Sequence, residues 1–173
     1  MIDLKKYIRD IPDFPKEGII FHDITPLLQN AVAFESAIER MAEMLNGNKI
    51  DYLVGIESRG FIFASALAIK LRTGLVIVRK PGKLPYVTIN ASYDLEYGSD
   101  SLEVHRDAVN HGSRVVLIDD LLATGGTAKA AGNLIEKLGG EIAGYCFLVE
   151  LTELGGQMKL SPGKVWSVVK YEA

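Results

Sequence analysis

Apolar residues fall into two kinds of run along this chain. Short continuous ones, "YLVGI" at 52–56, "LVIVRK" at 75–80, "VVLI" at 115–118, "EIAGYCFLVEL" at 141–151 and "VWSVVKY" at 165–171, read as strands of a sheet covered on both faces. Between them the spacing turns helical. In "AVAFESAIERMAEMLNG" Phe34, Ile38, Met41, Ala42 and Leu45 share a face and Gly47 supplies the stop, with Thr25 as N-cap and Pro26 at the first position of a short helix just before. "FIFASALAIKLR" predicts a mostly buried helix ending at Gly74, and "TAKAAGNLIEKL" one with Ala131, Leu134, Ile135 and Leu138 inward and Gly139-Gly140 as terminator. Strands alternating with helices predict an α/β fold, a doubly wound, mostly parallel sheet with flanking helices. Between 85 and 110 the helical face is lost; weak alternation and the turn residues Gly98-Ser99-Asp100 predict a projecting β-hairpin. "TELGGQMKLSPGK" reads as a loop-rich surface connection.

At 173 residues the chain predicts a single domain, residues 1–173. A net charge of −3 without blocks of like charge gives no footprint for nucleic acid or for an anionic membrane, so an anionic ligand must be held by local groups. The single cysteine, Cys146, lies in an apolar run and excludes a disulfide framework within one chain. The N-terminus lacks an apolar signal core, and no apolar stretch reaches the ~18–20 residues that span a bilayer, so a cytoplasmic protein is expected.

The densest candidate chemistry is "VVLIDDLLATGGTA" at 115–128, a strand, two aspartates, then a small-residue loop opening a helix near Thr127. Ligands of open parallel sheets bind at the carboxyl ends of strands, where helix N-termini point back. Gly125 and Gly126 allow close backbone approach, their N–H groups and the helix dipole favour an anion, and Thr124 and Thr127 add hydroxyls, which suits a phosphate monoester. The loop lacks the lysine of a Walker motif, and its acids come before the glycines, unlike a dinucleotide fingerprint. Carboxylates accept from vicinal hydroxyls, so Asp119 and Asp120 fit a ribose diol whose 5-phosphate sits in the loop; helix capping or solvation is the alternative for an isolated aspartate pair.

This stretch resembles the phosphoribosyl-diphosphate motif of type I phosphoribosyltransferases. "IPDFPKEGIIFHDITPLL", "GIESRGFIF", "VRKPGKLP", "ASYDLEYG" and "LVELTEL" resemble the adenine-using branch of that family in the same order, from Ile11 to the C-terminus. The resemblance implies the family's fold with a projecting hairpin lid at about 86–110 and a small N-terminal hood, mainly 1–30. It implies transfer of ribose 5-phosphate from phosphoribosyl diphosphate to adenine, giving AMP and pyrophosphate in purine salvage. Mg²⁺ would be bound mainly through the donor, with no protein metal site, and the chain would form a homodimer.

Residue by residue, the resemblance assigns Ala123, Thr124, Gly125, Gly126 and Thr127 to the 5-phosphate and Asp119 and Asp120 to the ribose. By itself "ESRG" reads as a solvated turn and "RKPGK" as a basic surface turn; the resemblance gives pyrophosphate to Glu57, Ser58 and Arg59, with a cis peptide before Ser58, and to Arg79, Lys80 and Lys83. Glu96, beside Tyr97 at the lid tip, matches the acid/base for the purine nitrogens, ahead of His105. Ile20, Phe21 and His22 match the adenine hood, with His22 where an arginine is common. A related transferase of xanthine, hypoxanthine or orotate, and a ligand-sensing regulator on the same fold, are the competing readings; the lack of a basic face argues against the regulator.

Overall fold

The computed structural model describes residues 2–94 and 99–172. The chain divides into two compact units, one ending at Arg40 and one beginning at Met41. In the larger, strands β3 (Tyr52–Ile56), β4 (Gly74–Val78), β7 (Arg114–Leu122), β8 (Glu141–Leu151) and β9 (Val165–Tyr171) form a sheet of order β4-β3-β7-β8-β9, every pairing parallel. Helices α3 (Gly60–Leu71) and α4 (Gly126–Lys137) supply its crossovers, and α5 (Gly156–Lys159) is one turn inside the stretch expected to be loop.

Alternation along the strands divides the core. Val54 and Ile56, Val115 and Leu117, and Tyr145 and Phe147 face α4 and the hairpin, in one cluster with Leu102, Val104, Ala131 and Leu134. The opposite positions meet α3: a Cβ at Gly55 would stand 2.9 Å from that of Ala64, so only glycine lets the helix lie this close to the sheet. Cys146, in the middle of β8, is fully buried, and burial pushes its thiol up to about 12.

Several expected boundaries move. Helix α3 stops at Leu71, not at Gly74, because Arg72 takes the left-handed conformation that ends it. Gly74 instead opens β4, where a Cβ would sit 2.5 Å from the Tyr52 ring. Strand β7 runs on through both aspartates to Leu122 and does not stop at Ile118, since β8 is long enough to pair with it as far as Glu150.

The expected hairpin is present as β5 (Thr88–Asp94) and β6 (Ser99–His105), antiparallel from Thr88↔His105 to Asp94↔Ser99. Ser99 and Asp100, expected in its turn, belong to β6. Its base is joined to the end of β4 by a reciprocal pair, Arg79 N to Glu103 O at 2.9 Å and Glu103 N to Arg79 O at 2.7 Å.

The smaller unit begins with a 3₁₀ turn, Leu4–Tyr7, capped by Asp3, and an antiparallel pair, β1 (Arg9–Pro12) and β2 (Ile20–Asp23). Helix α1 (Thr25–Gln29) has Ile24 at its N-cap, one residue before the expected Thr25. Asp23 explains the shift: it accepts from the Thr25 amide at 2.9 Å and hydroxyl at 2.7 Å, so that hydroxyl points back out of the helix. Helix α2 (Ala31–Leu45) buries Ile38, Met41, Ala42 and Leu45 as the spacing predicts, adds Ala33 and Ala37, and leaves Phe34 half-buried.

Candidate active site

At the carboxyl end of β7 the chain turns through residues 123–125 into α4. Gly125 has φ 77 and serves as the helix N-cap without any side-chain cap, leaving the first amides of a 12-residue helix directed at the cleft above it. The helix opens at Gly126, one residue earlier than expected. A residue far along the chain supports this turn. A Cβ at Gly156 would stand 2.1 Å from the Ala123 carbonyl oxygen, and one at Gly125 would stand 2.7 Å from the Gly156 oxygen. The Gly155-Gly156 pair is the signal that the sequence offers, although its composition alone reads as loop.

A cleft of about 490 Å³ lies over the turn, lined by residues 57–59, Lys80 and residues 119–128. The structure therefore brings the loop expected to hold a phosphate, both aspartates and the "ESR" turn to one place. The Glu57–Ser58 peptide in that turn is cis.

Asp120 is nearly buried and accepts from Arg59 Nε at 2.9 Å, while Asp119 Oδ1 accepts from the Asp120 amide at 2.9 Å. Burial, and then the like charge of Asp120, pushes the Asp119 carboxyl well above the usual carboxylate range. Burial lifts Asp120 as well, but the Arg59 guanidinium opposes the rise. Arg59, expected beside pyrophosphate, thus has its ion pair with Asp120, a residue expected at the ribose.

Glu57 engages cations. Its carboxylate accepts from Arg79 Nε at 3.3 Å, from the Lys80 amide at 2.8 Å and from the Lys83 ammonium. Burial alone would raise its pKa, but these donors together hold it below the usual value. Lys80 lines the cleft directly, and Arg79 and Lys83 reach its edge through Glu57.

In the smaller unit His22 is set by a partner that the sequence did not single out: its Nδ1 lies 2.7 Å from Asp10 Oδ1, across the β1–β2 pair. Phe21 meets Phe14 edge to face at 5.2 Å, and Ile20 is exposed. His105 sits at the base of the hairpin, where Nε2 accepts from the Tyr86 amide at 3.4 Å. Glu96 and Tyr97 lie outside the described residues.

A sequence model of the phosphoribosyl transferase domain matches residues 27–170. The adenine phosphoribosyltransferase of Pseudothermotoga lettingae is 56% identical over 170 residues, covering 98% of this chain and 100% of the relative. That of Geobacter metallireducens is 54% identical, covering 99% and 100%. Among solved structures, adenine phosphoribosyltransferase from Thermoanaerobacter pseudethanolicus superposes with a TM-score of 0.95 at 53% identity, covering 97% of this chain and 98% of that one. The Saccharomyces cerevisiae enzyme, complexed with an imino-altritol bisphosphate and adenine, gives 0.89 at 43% identity, covering 95% and 96%. Because the matched span contains every segment that lines the cleft, the likeness extends to the site as well as the scaffold, and the chain belongs to the phosphoribosyltransferase family.

Proposed function

We propose that this protein transfers ribose 5-phosphate from 5-phosphoribosyl 1-diphosphate to adenine, forming AMP and pyrophosphate for purine salvage. The observation that carries this reading is the cleft at the end of β7, where two carboxylates precede an uncapped helix N-terminus and cations stand opposite. The relatives named above support adenine as the base.

In this reading residues 123–127 receive the 5-phosphate on main-chain N–H groups and the Thr124 and Thr127 hydroxyls. Asp119 and Asp120 accept from the ribose hydroxyls, with Arg59 orienting Asp120. Ser58, Lys80 and the Glu57-held pair Arg79 and Lys83 attract the diphosphate. The bond from the anomeric carbon to the diphosphate oxygen breaks with its electron pair leaving on pyrophosphate, and adenine N9 forms the new bond. Positive charge develops on the sugar, so water must be excluded; the hairpin is assigned as the cover, with Glu96 handling the proton of the purine ring beside Tyr97. Mg²⁺ would come bound mainly through the hard phosphate oxygens of the donor, Asp119 and Asp120 being assigned to the ribose and not to the ion. When bound, the ion neutralises charge on the diphosphate and its departing oxygen.

Main-chain groups near Ile20 and His22 are assigned to the base, in a hood that with the rest of the chain makes one functional domain. The protein is proposed to act as a homodimer. Ile62 and Ile69 on α3 and Leu75 and Ile77 on the edge strand β4 are exposed, with Ile69 82% accessible, and a twofold contact across that face would cover them. A cytoplasmic location belongs to the same proposal; among the described residues no helix is long and apolar enough to cross a membrane.

The deciding experiment mixes adenine with phosphoribosyl diphosphate and Mg²⁺ and measures AMP and pyrophosphate. Stoichiometric formation of both is expected. Preference for hypoxanthine or orotate would transfer the activity to another base, and binding without turnover would favour a sensor.

A further inference from the structure

We propose that Glu103, on strand β6 of the hairpin, is a positioning residue for the donor's diphosphate, fixing both ends of the "RKPGK" segment at the edge of the cleft. The inference deepens the functional reading above and rests on it.

Glu103 is only 6% exposed, and a buried carboxylate is tolerated only where donors replace water. Its donors are the successive amides of Gly82, Lys83 at 3.1 Å and Leu84 at 3.0 Å, with the Thr88 side chain beside them. Gly82, at φ 80, supplies the left-handed turn that points these amides inward. The other end of the segment is held by the same residue through its main chain, in the reciprocal pair with Arg79. One residue therefore grips the segment at Arg79 and again at Lys83.

The electrostatics give this grip a direction. Burial would raise the Glu103 pKa, but the amides outweigh it and hold the group below the usual value, so the carboxylate stays charged. Those donors are neutral. Glu103 is satisfied by them without drawing on the Lys83 ammonium, which goes to Glu57 beside Ser58. Backbone placement is assigned to Glu103 and side-chain aim to Glu57, which holds the Arg79 and Lys83 side chains at the edge of the cleft. The arrangement also ties the segment to the hairpin, whose strand carries Glu103.

Glu103→Gln would keep one oxygen for the Lys83 and Leu84 amides, which share Oε1, but would replace the other oxygen by N–H₂ and remove the charge that holds the amides, loosening the segment. Donor KM and the dissociation constant for pyrophosphate should rise ~10-fold while adenine KM stays within ~2-fold, a split that general loss of structure would not produce. In a Lys83→Ala background the same substitution should change donor KM less than ~3-fold, because both act through one segment. Equal rises in both KM values, or an undiminished effect in the Lys83→Ala background, would overturn the proposal. Should Glu103→Gln be recovered unfolded, Glu103→Asp, which keeps the charge and shortens the reach, is judged by the same two criteria. Calorimetric titration with pyrophosphate needs no turnover. Absence of AMP formation by the wild type would therefore sink the functional reading alone, unchanged pyrophosphate affinity in Glu103→Gln would sink this inference, and a wild type that binds no pyrophosphate would sink both.

Discussion

Asp119 and Glu57 are carboxylates in one cleft with opposite protonation behaviour, and the difference can be measured. Glu57, held below its usual value, favours the fold above the unfolded carboxylate pKa and loses that contribution as pH falls through its folded value. Asp119, pushed up by burial and by Asp120, favours the fold in acid and loses that contribution as pH rises through its folded value. Asp119→Asn should thus raise the melting temperature of the ligand-free protein at neutral pH, by about 2–4 °C for each kcal/mol relieved, and the gain should vanish toward acid. A lower melting temperature at pH 7 would contradict the assignment. Paired with Asp120→Asn, it should also weaken use of the donor, each lost charged hydrogen bond being worth ~1.5–3 kcal/mol in kcat/KM. Such a trade of stability for binding is common where charge is buried for function. For Glu96→Gln the expected change is a fall in kcat of ~10²–10⁴-fold with adenine KM little altered; a kcat within a few-fold of wild type would move proton transfer to another group.

At the scale of elements, the phosphate turn depends on a neighbour with no obvious chemistry. A methyl group at Gly156 would collide with the Ala123 carbonyl, so Gly156→Ala should displace the turn and raise donor KM by ~10-fold or more, with adenine KM spared. Equal KM values for wild type and variant would show that α5 can yield. Gly156 also marks where the sequence stops being legible. The parallel sheet, α4 and the Asp-Asp-to-Gly-Thr stretch could be read because each is written in consecutive residues as periodicity or a motif. The β1–β2 pair could not, because its strands are four residues each, with little alternation to betray them. Asp10 beside His22, Glu103 under the "RKPGK" turn and Gly156 under the phosphate turn are long-range partners, and no local pattern reports a contact made across strands or between distant loops.

At the scale of the whole molecule, the exposed apolar face of α3 and β4 predicts self-association. Ile69→Glu together with Ile77→Glu should shift sedimentation toward the monomer, whereas an unchanged sedimentation coefficient would place the interface elsewhere. Because β4 leads directly into Arg79 and its bridge to Glu103, the dissociated variant should also lose donor affinity before adenine affinity. The lone thiol of Cys146 adds a different instrument. Fully buried in the central sheet and with its ionisation suppressed, it reacts with a thiol reagent only when the sheet opens, so the labelling rate is a clock that counts openings. Any molecule that binds only the closed protein must slow that clock by the factor 1 + [L]/Kd. Phosphoribosyl diphosphate, pyrophosphate and AMP can therefore be ranked on unmodified protein, without substrate turnover, by the delay each imposes on a single sulfur atom.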